Sequence, residues 1–188
     1  AEIENLSLQT INQFAVEPYN LAKRLDNKKD EDSKKKRDAL RKFYMRKNGI
    51  IYRCSHPFST MKLAIEKGFP FYLHKEAHTH DHGEDMVSLK HITTGKKPRL
   101  EDVIKKQLNL MNSQDNIANV RLGVIRRLSK EDTDPYRIYV GKKMNDVSMF
   151  RKTSSEIKEI LDSRLIKSLD RLHNNSTLRP GHAPITQL

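Results

Sequence analysis

Leu100, Val103, Ile104, Leu108 and Met111 recur every three to four residues, the spacing that lines one face of a helix about four turns long. Ile157, Ile160, Leu161, Leu165, Leu169 and Leu172 repeat that pattern over a longer stretch and are expected to form its buried face. Thr153-Ser154-Ser155-Glu156 fits a capping box at the start of this final helix, and Asn174-Asn175 is expected to end it. Between the two helices the period changes. Val120, Leu122 and Val124 alternate with Arg121 and Gly123, and Tyr136, Ile138 and Val140 alternate with Arg137 and Tyr139. Period two predicts strands, and Asp132-Thr133-Asp134-Pro135 between them predicts a longer loop joining an antiparallel pair.

Earlier in the chain the signals are shorter. Ile50 to Cys54 reads as a strand after the Asn48-Gly49 turn, and Ser59 to Gly68 as a short helix with Gly68 as its stop. Phe69 to His74 reads as an apolar strand, or as the entry to a helix if the following histidines are helical. Residues 78–97 show little periodicity and are expected to form an exposed loop. Residues 1–48 read as helical, with Leu6, Ile11, Phe14, Leu21 and Leu25 as a sparse stripe and a break at Glu17-Pro18. The resulting expectation is an α+β fold: a helical basic N-terminal arm (1–48), an α+β core with a small antiparallel sheet and amphipathic helices (49–175), and an extended tail (176–188).

Charge changes the picture from fold to partner. The formal net charge is +12, 32% of residues are charged and 36% are hydrophobic, so a modest core carries a strongly basic surface. Nucleic acid is the commonest polyanion for such a surface. From Lys34 to Lys47 there are eight basic residues and one acid, with Ala39, Leu40, Phe43 and Tyr44 at helical spacing to dock the opposite face. Lys34, Lys35, Arg37, Arg41, Lys42 and Arg46 are the expected phosphate contacts there. Arg121, Arg126, Arg127, Arg137, Lys142 and Lys143 are the expected contacts around the strand pair. The sequence leaves DNA and RNA both open. No apolar run reaches the roughly 18–20 residues of a membrane span. With a single cysteine and no secretion signal at the N-terminus, the expected compartment is the cytoplasm, or the nucleus in a eukaryote.

Histidine is the feature that charge does not explain. Five of the eight histidines fall between His56 and His82, three of them in His78-Thr79-His80-Asp81-His82. Imidazole and thiolate bind zinc and related ions, so Cys54, His56, His78, His80 and His82 are the candidate ligands, with zinc or manganese as the candidate ion. A closed set would be structural zinc, whereas an open set beside Asp81 or Glu84 would activate a water for hydrolysis. A helical run would put His74, His78 and His82 on one face, and an extended run His78, His80 and His82. A pH-responsive loop, or plain surface, accounts for the same composition. The run is one residue short of the His-x-His-x-Asp-His pattern of metallo-β-lactamase-type hydrolases, and no series of βαβ units follows, which excludes that fold.

The first expectation is therefore a nucleic-acid-binding protein whose His-rich loop binds zinc. The second is a metal-dependent nuclease using His78, His80 and His82, with Asp81 or Glu84 orienting the water. The third is a protein-interaction factor of viral or mobile-element type, pairing through its C-terminal helix with a protein partner or with a second copy of itself.

Overall fold

The computed structural model describes residues 2–45, 53–112, 120–129 and 152–177, and these are almost entirely helical. The helices are α1 (Glu2–Ile11), α2 (Glu17–Leu25), α3 (Glu31–Tyr44), α4 (Ser55–Glu66), α5 (Phe71–Thr79), α6 (His82–Thr94), α7 (Leu100–Asn112), α8 (Leu122–Leu128) and α9 (Ser154–Ser176). A π-helical turn, Asn12–Val16, joins α1 to α2. The expected break at Glu17-Pro18 is thus a widened turn, not an end. Pro18 sits in the first turn of α2, where its missing N–H is tolerated.

The α+β expectation is overturned, because no strand forms among the described residues. The reason is visible in the stretch that alternated most clearly. Val120, Val124, Ile125 and Leu128 are all buried, and their spacing of four, one and three is helical. A short apolar run carries both periods at once, and burial on one side selected the longer period. Arg121, the outward residue of the expected strand, instead anchors α8: its backbone N–H and guanidinium both donate to the Glu76 carboxylate. The expected partner strand, 136–140, lies outside the described residues, as do Arg46, Arg137, Lys142 and Lys143.

In the next two stretches helix again prevails, by the helical alternative offered for Phe69 to His74 and against the loop expected at 78–97. Phe69 to His74 is the entry to α5: Pro70 is extended, the helix starts behind it, and Leu73 and Ala77 bury one turn apart. Residues 78–97, read as an exposed loop, complete α5 and form α6, with His78, His80, His82, Val87 and Leu89 buried. Of the short strand at 50–54, residues 50–52 lie outside the described part, and Arg53 and Cys54 form the turn that leads into α4. Gly68 stops α4 as expected, at φ +69°, with the Phe69 N–H donating back to the Ala64 carbonyl. The capping box at Thr153 and Glu156 also forms.

Two apolar clusters organise the helices. One joins Leu6 of α1, Ala64 of α4, Leu73 and Ala77 of α5, Ile104 of α7, the α8 residues, and Ile166 and Leu169 of α9. The other joins Phe14, Ala22, Leu25, Leu40, Phe43, Cys54 and Leu89, and ties the N-terminal helices to α6. Arg53 reinforces that second tie, donating to the Phe43 carbonyl and pairing with Asp85 at 2.7 Å. No helix among the described residues is long and apolar enough to cross a membrane.

Candidate metal centre

Three helix segments far apart in sequence bring His56, His80, Asp81 and Asp170 together. One ligand atom from each lies within 4.8 Å of all the others. His56 stands in the first turn of α4, His80 and Asp81 form the joint between α5 and α6, and Asp170 comes from the last third of α9. The joint explains why adjacent residues can both reach the site. His80 ends α5 with its Nδ1 2.7 Å from the Ala77 carbonyl, one of the acceptors a helix leaves unsatisfied at its C-terminus. Asp81 then starts α6, its carbonyl accepting from the Asp85 N–H.

A carbonyl only accepts, so Nδ1 of His80 carries a proton and Nε2 is the atom offered to the site. Around that atom the distances are even. His56 Nε2 is 3.2 Å from His80 Nε2, 3.1 Å from Asp170 Oδ1 and 3.4 Å from Asp81 Oδ2. His80 Nε2 is 3.2 Å from Asp81 Oδ2 and 3.8 Å from Asp170 Oδ1. Four ligands on one ion at bond lengths of about 2.0–2.1 Å stand about 3.3 Å apart in a tetrahedron. The side chains therefore stand at the separations of a coordination shell. Two carboxylates match the two charges of a divalent ion, and the mixed nitrogen and oxygen set suits zinc or manganese.

Burial grades across the site. His56, His80 and Asp170 are buried, whereas the Asp81 side chain is 30% exposed and marks the side open to solvent. Lys167 holds the second oxygen of Asp170 at 2.7 Å, and the Asn174 amide donates to Oδ1, which keeps this carboxylate aimed at the imidazoles. The electrostatics reflect the crowding. Burial pulls His80 down, but the charge of Asp81, the hydrogen bond His80 donates to it and the nearby Asp170 carboxylate outweigh it and push the imidazole up to about 10. Burial raises both carboxylates, and the imidazoles overcome it. His80 charge and the His56 bond carry Asp81 well below its ordinary value, and the His56 bond with the nearby His80 charge does the same for Asp170.

The structure sorts the candidates named from sequence. His56, His80 and Asp81 come together. His78 and His82 turn away, toward Thr10 of α1, at 2.8 and 3.0 Å from its hydroxyl. His74 bonds the Phe69 carbonyl instead. Cys54 is buried in the N-terminal cluster, where burial raises its thiol and disfavours the thiolate a metal needs. Glu84 lies in the first turn of α6, outside the group of four. Among the basic candidates, Lys34, Lys35, Arg41 and Lys42 are exposed on α3, with Arg41 paired to Asp26. Arg37 pairs with Asp26 and Asp38, and Arg126 with Glu101. Arg121 is engaged by Glu76 and Asp162.

Asp170 and its neighbour His173 were missed. Their signal lay in the polar residues of α9: Ser163, Lys167, Asp170 and Asn174 recur every three to four positions, on the face that also buries Ile166 and Leu169. Leu161, Leu165 and Leu172, read as the inner face, are 41–49% exposed. No protein-family model, curated protein or solved structure matches this chain.

Proposed function

We propose that the chain is a divalent-metal-dependent phosphoester hydrolase that acts on nucleic acid. The observation that carries this reading is the convergence of His56, His80, Asp81 and Asp170 at metal-ligand separations inside a strongly basic protein. An ion held there that takes a water as a fifth ligand on the exposed side of Asp81 would lower the pKa of that water toward neutrality and draw charge from a phosphoryl oxygen. The half-exposed side of Asp81 is where water and substrate would reach it. Buried His56, His80 and Asp170 would fix the ion, and Lys167 and Asn174 hold Asp170, so the ligands are placed before substrate arrives.

Substrate class follows from the surface. On α3, Leu40 and Phe43 turn inward and leave Lys34, Lys35 and Lys42 in solvent, a cationic face suited to a phosphate backbone. The same face supports nucleic-acid binding without cleavage as the second reading.

Elemental analysis of untagged protein dialysed without chelator tests the proposal. The expected result is near-stoichiometric zinc or manganese, with cleavage of a nucleic-acid phosphodiester that chelator abolishes and metal restores. Failure to retain or take up either metal sinks the hydrolase reading. Metal uptake without cleavage, combined with salt-sensitive nucleic-acid binding, favours the second.

A further inference from the structure

His173 lies one helical turn beyond Asp170 on α9, is buried, and brings its Nδ1 to 2.7 Å from the Nδ1 of His56. The two rings lie 4.8 Å apart between centroids, inclined by 34°. Two ring nitrogens at this distance share one proton: one donates and the other accepts. Nε2 of His56 is the atom that faces His80, Asp81 and Asp170. To bind an ion it must present a lone pair, so the remaining proton of a neutral ring must sit on Nδ1. His173 Nδ1 is the atom placed to accept it.

We infer that His173 is a positioning residue: it accepts the Nδ1–H of His56 and so holds that ring in the one tautomer able to bind metal through Nε2. This rests on the metal reading above. It gives His56 the kind of support that the Ala77 carbonyl gives His80, so each imidazole ligand has its rear nitrogen fixed by an acceptor. The acceptors differ in kind. A carbonyl can only accept, whereas His173 can also turn donor, and in that state it would close the site to metal by leaving the His56 proton on Nε2.

Two variants separate acceptor from filler. Asparagine places its Oδ1 where the histidine has Nδ1, so His173→Asn keeps an acceptor, whereas His173→Leu fills the space without one. Zinc affinity measured by chelator competition is expected to fall about 10–100-fold in His173→Leu and to stay within about threefold of wild type in His173→Asn. Thermal melting without metal controls for folding. A second measurement needs no variant: in zinc-loaded, nitrogen-15-labelled protein, His56 is expected to show a protonated Nδ1 coupled across its hydrogen bond to His173. Equal zinc affinity in His173→Leu and wild type, or zinc on Nδ1 of His56, overturns the inference while leaving the metal centre standing. Wild-type protein that takes no zinc overturns both.

Discussion

Between His78 and His82 the chain divides its histidines between two environments that treat the same side chain in opposite ways. His80 faces two carboxylates and is held in its charged form. His78 and His82, four residues apart and so on one face, meet at a single hydroxyl. Thr10 Oγ1 bonds both Nε2 atoms and the Leu6 carbonyl, the Phe14 ring stands edge-on to His82 at 5.0 Å, and Phe58 packs on His78 at the same distance. Burial, then the charge of His80, lowers His78 to about 4; burial and both neighbouring imidazoles push His82 well down. One set stands at metal-ligand separations, and the other is a neutral polar peg holding α1 onto the α5–α6 joint. What separates them is the partner each meets, carboxylate or hydroxyl, since both are buried.

The largest expected effect tests that division directly. His80→Ala or Asp170→Ala should abolish retention of zinc or manganese after dialysis, while a His78→Asn/His82→Asn double variant that still folds should retain it at the wild-type ratio. Metal lost from the double variant and kept by His80→Ala would reverse the assignment of the two sets. The next effect belongs to the peg. Thr10→Val keeps the shape and strands two buried ring nitrogens, which is expected to cost about 2–4 kcal/mol in denaturant unfolding while metal content is unchanged. A cost near zero would mean that the hydroxyl is a bystander. A third variant sharpens the mechanical side: an added Cβ at Gly83 would meet Ile104 Cγ1 at 2.7 Å, so Gly83→Ala should push α6 off α7 at a cost of about 1–3 kcal/mol. That strain falls beside His82 and should leave metal retention intact.

The same division explains what the sequence disclosed and what it hid. The histidine cluster was legible because composition alone set it apart, and His56, His80 and Asp81 were among the residues it named. Which histidines converge was not legible. A helical period sorts His78 and His82 from His80, but it does not tell which set meets carboxylates; that is decided by the joint at His80-Asp81, which brings these two residues to His56 and Asp170. Asp170 was hidden for a different reason. Hydrophobicity alone marks Leu161, Leu165 and Leu172 as part of the inner face of α9, yet this helix buries Asp162, Ser163, Asp170 and His173 beside Ile160, Ile166 and Leu169 and leaves those three leucines outside. A polar site inverts the ordinary pattern on the helix that carries it. The helix boundaries at Gly68 and Thr153 were legible because caps act locally, whereas the expected strand at 120–124 depended on packing that no local period reports.

The smallest effect is a slope. Without metal, stability should decline in both directions from a pH near 6.5, for reasons that belong to different histidines. Below that pH an unfolded chain protonates His78 and His82, while the folded chain holds them neutral. Their contribution is therefore complete above about 6.5 and is lost as pH falls through about 4 for His78. Above that pH the folded chain keeps the His80 proton that the unfolded chain releases. Its contribution is complete below about 6.5 and is lost as pH rises through about 10. Each group adds at most about 1.4 kcal/mol per pH unit, the free-energy equivalent of one proton. Denaturant titrations at half-unit steps read both limbs: His80→Asn should flatten the alkaline limb and, by removing a charge that lowers His78 and His82, ease the acidic one, whereas His78→Asn/His82→Asn should flatten the acidic limb alone. Zinc adds the decisive contrast. An ion at Nε2 displaces the proton that His80 holds, so loading the site should remove the alkaline decline and steepen the acidic one, because a metal-bound His80, like the peg, holds no proton where the unfolded chain takes one up. An alkaline limb that persists in zinc-loaded protein would mean that the ion is bound somewhere other than His80.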